Sequence, residues 1–188
     1  YAGFTDYINV YSVWGGITLM LLCFYHGLLY ITLRVDHSMR ERARNLAVKV
    51  GLGVLVSLVV FVLLSMKYTD IFSHNLVGVL ITIGFIVVSY ALSLLFTLKG
   101  SEKLSFTFSG LGIAGTISLI FVSLFPRVMV SSLGEAFNLT ISNASSGNYS
   151  LKVMTIVAIT LLPFVLGYTI WSYYVFRKRI TQEDEHIY

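Results

Sequence analysis

Residues 75–98 have the sequence NLVGVLITIGFIVVSYALSLLFTL, and this stretch decides the fold class. It contains no Asp, Glu, Lys or Arg over its whole length. A helix needs about 20 consecutive apolar residues to cross the hydrocarbon core of a membrane. Because that core offers no water, every backbone N–H and C=O group must find its partner inside the protein, as it does in a helix. The sequence therefore predicts a transmembrane helix here.

Four further stretches have the same character, and they lie at residues 10–33, 46–66, 104–125 and 153–176. None has Asp or Glu in its interior, and Lys49 lies near a boundary, where its long side chain can reach the interface. Strands of a transmembrane barrel would be about 10 residues long and would alternate between polar and apolar side chains. The chain is therefore predicted to be an all-α, polytopic transmembrane helical bundle with about five spans, forming a single domain over residues 1–188.

The composition supports this class and excludes two others. Of the 188 residues, 56% are apolar and 12% are charged, whereas a typical soluble domain has about 25% charged residues. A disordered chain needs low hydrophobicity and high charge. The net charge of +4 does not indicate nucleic acid as a partner, because the basic residues lie between apolar stretches rather than on one face. The single cysteine, Cys23, excludes an internal disulfide.

The basic residues predict the orientation in the membrane. Five spans put the two ends of the chain on opposite sides, and Lys and Arg divide ten against three between those sides. The ten are Arg34, Arg40, Arg42, Arg44, Lys49, Lys99, Lys103, Arg177, Lys178 and Arg179; the three are Lys67, Arg127 and Lys152. Because the positive-inside rule places the richer side in the cytoplasm, the N-terminal end is predicted outside and the C-terminus inside.

Two connections are longer than the rest. The stretch 35–45 (VDHSMRERARN) is charged and is expected to extend the helices as a turn on the inner side. The outer loop, residues 127–150, is rich in Ser, Asn and Gly and is long enough to hold structure of its own. Ser150 is predicted to be the N-cap of the fifth helix. The loop also has N-glycosylation sequons, which its Ser and Asn content explains by itself, at Asn138, Asn143 and Asn148.

Two features inside the spans are candidate sites. Gly110, Gly112 and Gly115 form G-x-G-x-x-G, but a dinucleotide site needs a strand before the motif, and close helix packing is the favoured interpretation in an apolar span. His26 lies deep in a span, where an ionisable residue is a candidate ligand of haem iron or of a metal, or a proton carrier. No second ligand lies at an obvious spacing, which favours a hydrogen-bonded packing role. The other histidines are expected to be solvated, and they are His37, His74 and His186.

The acidic residues and prolines are considered as signs of a transporter. No span holds an Asp or Glu of the kind that proton-coupled transporters use. Pro163 is expected to kink the fifth helix, because its ring leaves the carbonyl of Ile159 without the usual donor. Pro126 is expected to end the fourth helix.

Several longer motifs carry a family resemblance. They are FPRVMVSS at 125–132, LTISNASS at 139–146, LKVMT at 151–155, Pro163, GYTIWSYY at 167–174 and RIT at 179–181. Near the start, NVYSVWGG at 9–16 and His26-Gly27 belong to the same series. In order and spacing the chain resembles subunit II of cytochrome bd-type quinol oxidases. It departs from that family in having Val130 where Pro is frequent.

The resemblance implies a structure and a role. It implies the C-terminal half of subunit II, with four bundle helices and one peripheral helix. The Gly-Phe-Asp and Trp-Asp-Gly-Asn-Gln stretches of the family's first half do not occur in this sequence. The resemblance implies a haem-free structural and assembly subunit of a terminal oxidase, which oxidises quinol and reduces O2 to water in the bacterial plasma membrane. No catalytic, cofactor-binding or metal-binding residue is assigned to the chain.

The resemblance also implies partners. Two b-type haems and one d-type haem are expected in the partner subunit I, together with the quinol-oxidising loop. Further expected partners are a small single-helix subunit, the N-terminal half of subunit II, a structural quinone and the lipid bilayer. Two alternatives remain open from the residues alone. One is half of a multi-helix transporter or channel, and the other is a receptor that binds its ligand in the outer loop.

Overall fold

A computed structural model describes residues 8–131 and 134–177, apart from the side chains of residues 37, 73 and 74. The described chain divides after Ser123 into two compact units. The first unit consists of helices α1 (Val10–Arg34), α2 (His37–Tyr68), α3 (Ile71–His74), α4 (Leu76–Lys99) and α5 (Glu102–Leu124). The second unit has strands β1 (Arg127–Met129) and β2 (Leu139–Thr140), a 3-10 turn (Glu135–Phe137), and helices α6 (Ile141–Ala144) and α7 (Asn148–Val175).

The prediction of an all-α polytopic bundle is confirmed. Five of the described helices are long and apolar enough to cross a membrane, and they are α1, α2, α4, α5 and α7. The prediction that they form one domain over residues 1–188 stays a prediction, as does the kink at Pro163, which lies inside α7. Helix α5 ends at Leu124, two residues before Pro126, as expected for a residue that cannot continue a helix.

The core of the first unit is formed by large side chains from three helices. Its most deeply buried members are Leu22, Tyr25 and Leu29 of α1, Val54 of α2 and Tyr90 of α4. Phe106, Ile113 and Leu119 of α5 pack against this core. Between helices in a membrane, lipid tails are as apolar as leucine, so close packing rather than the hydrophobic effect holds such a core together.

The helix ends of the first unit are capped by side chains and a turn. The Asn9 side chain accepts from the backbone N–H of Ser12 at 2.8 Å, and Asn75 accepts from that of Gly78 at 3.1 Å. At the other end of α4, Gly100 adopts a left-handed backbone conformation with φ of 77°. That conformation lets the N–H of Ser101 donate to the carbonyl of Phe96 at 2.9 Å, which satisfies a terminal carbonyl.

Two sequence-based expectations differ from the structure at helix starts. Helix α2 begins at His37, so most of the charged stretch 35–45 is helical and only Val35 and Asp36 make the turn. Ala43 is buried there, so tertiary packing extends the helix beyond its apolar part. Ser150 as N-cap of α7 is wrong, because the helix begins at Asn148 and Gly147 is the cap.

The second unit gives the predicted outer loop a structure of its own. Strands β1 and β2 pair antiparallel, with Arg127 opposite Thr140 and Met129 opposite Leu139. Thr140 then caps α6, and the side chain of Asn143 accepts from the backbone N–H of Thr140 at 2.6 Å. No residue of α7 is buried.

Candidate functional site

Four buried hydroxyl groups meet where α1, α4 and α5 face one another in the first unit. Tyr25 comes from α1, Ser93 and Thr97 from α4, and Ser105 from α5. Each of the four is at most 3% exposed. In the hydrocarbon region such groups are costly unless they are hydrogen-bonded. Their juxtaposition is therefore a specific feature of the fold.

The hydroxyls of this cluster satisfy one another. The Tyr25 hydroxyl lies 2.9 Å from Ser93 Oγ, and Thr97 Oγ1 lies 2.5 Å from Ser105 Oγ. Ser93 Oγ donates to the carbonyl of Ser105 at 2.8 Å, while the hydroxyls of Thr97 and Ser105 reach the carbonyl of Ser93 at 2.9 and 3.0 Å. The cluster thus joins α1 to both helices of the α4–α5 hairpin.

Removing one hydroxyl should weaken this junction without changing its shape. Tyr25→Phe is expected to lower the free energy of unfolding by about 1 kcal/mol, because Ser93 loses a buried partner. The measurement is a titration with a denaturing detergent in mixed micelles. The matched control is Tyr149→Phe, since Tyr149 is 84% exposed and its hydroxyl faces open surroundings. Equal unfolding curves for the two variants would contradict the assigned role.

His26 lies one residue after Tyr25 and contacts α5. Its Nδ1 lies 2.6 Å from Ser109 Oγ, and its ring stacks on Phe106 with 4.3 Å between ring centroids. Ser109 Oγ itself lies 3.0 Å from the carbonyl of Phe106, to which it donates. Because the serine proton is used there, we assign the Nδ1–H of His26 as donor to Ser109. The hydrogen-bonded packing role expected for His26 therefore has partners in the structure.

Charged side chains close one end of the first unit. Arg40 of α2 pairs with Glu102, the first residue of α5, and its Nη1 lies 3.6 Å from Asp36. Arg44, one turn further along α2, donates to the carbonyls of Thr97 at 2.9 Å and Leu98 at 2.5 Å. The last carbonyls of a helix have no partner within it, so a cation placed there is stabilising. We call Arg40, Arg44 and Glu102 the charged clamp.

The G-x-G-x-x-G motif lies entirely within α5, and the element that directly precedes this helix is α4 rather than a strand. A Cβ atom at Gly112 would lie 2.7 Å from the ring of Tyr90. One at Gly115 would lie 2.9 Å from Phe85. These glycines let α4 approach α5 closely, as small residues do in membrane bundles. Gly110 has more room, since a Cβ there would be 3.7 Å from His26.

The hydroxyl cluster and the charged clamp were missed by sequence reasoning, although a signal existed. Ser89, Ser93 and Thr97 recur every fourth residue along α4, and Ser105 and Ser109 do so in α5. All five are buried. A polar stripe at helical spacing within an apolar span indicates a helix–helix interface.

The other residues singled out from the sequence are the three sequon asparagines and three histidines. Asn138 and Asn143 tie the loop of the second unit together, since Asn138 Oδ1 accepts from Ser131 N–H at 2.7 Å and Asn143 Nδ2 donates to the Asn138 carbonyl at 3.1 Å. Asn148 is the first residue of α7. The side chains of His37 and His74, and all of His186, lie outside the described residues. Within residues 8–131 and 134–177, no three His, Cys, Asp or Glu side chains are grouped as a metal site would need.

Comparison with known proteins gives a consistent family match. The family model described as cytochrome bd terminal oxidase subunit II matches residues 1–176. The cytochrome bd ubiquinol oxidase subunit 2 of Bacillus subtilis strain 168 is 49% identical over 188 residues, which are 100% of this chain and 56% of that protein.

Two further relatives match this chain, one over a shorter stretch and the other at lower identity. The cytochrome bd-I ubiquinol oxidase subunit 2 of Escherichia coli K12 is 42% identical over 80 residues, 43% of this chain and 21% of that protein. The probable cytochrome oxidase subunit 2 of Haemophilus influenzae is 26% identical over 201 residues, 90% of this chain and 52% of that protein. The chain thus spans about half the length of the curated relatives that match most of it.

Proposed function

The chain belongs to the cytochrome bd terminal oxidase subunit II family, and from this premise we propose that it works as a haem-free structural and assembly subunit of such an oxidase. The complex would oxidise quinol and reduce O2 to water in the aerobic respiratory chain of a bacterial plasma membrane. In this proposal the chain supplies a stable helical scaffold, and the redox chemistry takes place elsewhere in the complex.

The proposal rests on the hydrogen bonds that the buried polar groups of the first unit form with one another and with helix carbonyls. The four hydroxyls of the buried cluster bond to one another and to helix carbonyls. The clamp residue Arg44 likewise bonds to carbonyls of α4. Groups engaged in this way fix helix positions, which is the task of a scaffold.

The described residues of the first unit offer little room for a haem. A b-type haem is held by axial side chains such as His or Met, and the ring of His26 is packed flat against Phe106. The bundle has a cavity of about 200 Å³, but His26 does not line it. Pockets for drug-sized ligands are about 300–1,000 Å³, so a haem macrocycle would not enter it. We therefore assign the two b-type haems and the d-type haem to subunit I.

The proposal includes the assembly around the chain. Subunit I would be the haem-bearing partner, and the N-terminal half of subunit II would be a second partner. A small single-helix subunit, a structural quinone and lipid complete the complex. The cytoplasmic side is the end of the first unit that carries the charged clamp, because most Lys and Arg residues lie at that end and at the C-terminus.

The proposed function is tested by purification in a mild detergent followed by a reduced-minus-oxidised visible spectrum and a gel of the same fraction. We expect b-type and chlorin-type haem bands together with a larger membrane subunit that co-purifies with this chain. A colourless sample in which the chain migrates alone, from cells that make the whole operon, would contradict the proposal and favour a transporter or channel.

Replacing His26 gives a sharper test of where the haems lie. In the assembled complex, His26→Ala is expected to leave the position and height of every haem band unchanged, because the side chain packs on Phe106 and Ser109 within this chain. Ser109→Ala serves as the matched control, since it removes the same hydrogen bond and keeps the imidazole. A band lost in His26→Ala but retained in Ser109→Ala would show that His26 is a haem ligand.

A further inference from the structure

The first unit has a cavity among its long helices, and its lining extends furthest along α1. It has a volume of about 200 Å³ and is lined by α1, α2, α4 and α5, with Ile71 of α3 at one end. On α1 its lining runs from Tyr11 to Leu22. Eleven residues of helix correspond to about 16 Å at 1.5 Å per residue. This length is about half of the ~30 Å hydrocarbon core, which is the depth of one leaflet.

The lining is mostly apolar, and five hydroxyl side chains contribute to it: Tyr11, Thr18, Ser65, Thr116 and Ser123. Thr18 donates to the carbonyl of Trp14 at 2.8 Å, and Ser65 to that of Phe61 at 2.8 Å. Thr116 and Ser123 likewise donate to carbonyls of α5, at 2.9 and 3.0 Å. A water molecule needs two to four polar partners in a cavity. Because these four protons are already used, and the hydroxyl of Tyr11 lies at one end of the cavity 3.4 Å from Ser65 Oγ, most of the cavity favours an apolar occupant over water.

The cavity is open to the surface of the bundle at the level of the hydrocarbon. Leu22, Leu58 and Ile86 line its buried part and are at most 5% exposed. Leu19 and Ile120 also line it, yet they are 54% and 56% exposed. Wherever no partner helix covers such an opening, the medium around it in a membrane consists of lipid acyl chains.

A cation lies beside the end of the cavity that is nearest the helix termini. Tyr11, which lines this end, stacks with Tyr68, their ring centroids 6.4 Å apart. Lys67 Nζ lies 5.7 Å from the ring centroid of Tyr68. Among the described residues Lys67 forms no ion pair with a carboxylate. An anionic headgroup above the cavity would therefore meet a positive charge.

We propose that the cavity binds one acyl chain of a membrane phospholipid, with the phosphate of that lipid near Lys67. The extent of the lining along α1 suits a linear chain from one leaflet. Its lining suits methylene groups, and its opening allows entry from the bilayer. The lipid would act as a structural part of the bundle, filling space that the side chains of α1, α2, α4 and α5 leave.

Filling the cavity with protein tests this site. Val62 lines it from α2, and Val62→Phe places a ring in the space of the acyl chain. The control is Val59→Phe, three residues earlier on the same helix, where the side chain is 57% exposed and does not line the cavity. Each protein is purified as the complex in which it occurs, washed extensively with detergent, and extracted for phospholipid and quinone by mass spectrometry. We expect wild type and Val59→Phe to retain one more phospholipid per chain than Val62→Phe.

A second measurement uses added lipid as the probe. Delipidated wild-type protein is melted with lysophosphatidylcholines of octanoyl, dodecanoyl and hexadecanoyl chain length. We expect the Tm to rise by about 3 °C as the chain lengthens, which corresponds to about 1 kcal/mol for a protein of this size. The rise should be absent in Val62→Phe and present in Val59→Phe. Should Val62→Phe fail to fold, Ile83→Phe fills the same cavity from α4.

Three outcomes would overturn the proposal. The first is equal phospholipid retention in wild type and both filling variants. The second is a Tm that does not depend on chain length in delipidated wild type. The third is loss of quinone rather than phospholipid when the cavity is filled, which would assign the cavity to an isoprenoid chain.

Lys67→Gln tests whether the lipid phosphate lies near Lys67. We expect this variant to retain less phospholipid and to keep the dependence of the Tm on chain length.

Discussion

Arg40→Met is expected to lower the free energy of unfolding by about 2–3 kcal/mol, because it removes the guanidinium that pairs with a largely buried carboxylate. Glu102 is 8% exposed, and its carboxylate is held by Arg40 at the start of α5. Breaking one partner of a fully buried pair costs about 3–5 kcal/mol, and the lower value here reflects the 36% exposure of the Arg40 side chain. The measurement is unfolding by a denaturing detergent in mixed micelles.

The same pair provides its own control. Glu102→Gln keeps the shape of the side chain and removes its charge, so Arg40→Met combined with Glu102→Gln should recover most of the lost stability. Arg42→Met, on an exposed side chain two residues away, should change the unfolding curve little. If the double variant is as unstable as Arg40→Met alone, the charge of Glu102 is not the cause of the effect.

Gly112→Ala is expected to destabilise the first unit by about 2 kcal/mol relative to Gly110→Ala. Both replacements lie in α5 and gain the same helix propensity, about 1 kcal/mol, so their difference isolates the packing term. The added Cβ at Gly112 would lie 2.7 Å from Cε2 and Cζ of Tyr90, whose side chain is 1% exposed and cannot move aside. At Gly110 the added atom makes an ordinary contact with His26.

Thermal melting of the two glycine variants in the same detergent checks this prediction. Gly112→Ala should also separate α4 from α5 and so lengthen the contacts of the hydroxyl cluster. Combining Gly112→Ala with Tyr90→Leu should restore part of the lost stability, because the smaller side chain makes room. Equal Tm values for Gly110→Ala and Gly112→Ala would show that α4 and α5 do not approach each other closely at this point.

The helix boundaries show how much of the fold could be predicted from the sequence alone. Apolar length located the spans, because the hydrocarbon core sets a minimum length for each helix. The helix that contains the second span begins nine residues before the apolar stretch, because Ala43 is buried there and Arg40 and Arg44 contact the neighbouring helices. Ser150 was a plausible cap by residue type, but the extended backbone at Gly147 determined where α7 begins.

For the candidate sites, the sequence indicated individual residues but not the side chains that they contact. His26 was recognised from its position in a span, and its partner Ser109, 83 residues away, became visible only in three dimensions. The glycine motif was correctly assigned to helix packing, while its contact with Tyr90 depends on how α4 and α5 face each other. The serines of α4 and α5 had a recognisable spacing, yet nothing in that spacing identifies Tyr25 as their common partner.

The sequence by itself determined the membrane class, the five helices and the family, because apolar length, charge distribution and local motifs are properties of continuous segments. The tertiary structure alone decided which polar groups meet, where the charged clamp closes the bundle and where a cavity remains. Helix rotation and tilt are set by packing against neighbours rather than by the composition of any one span. Residues 25, 93 and 105 therefore form one cluster only because three helices, each apolar in sequence, pack with those faces together.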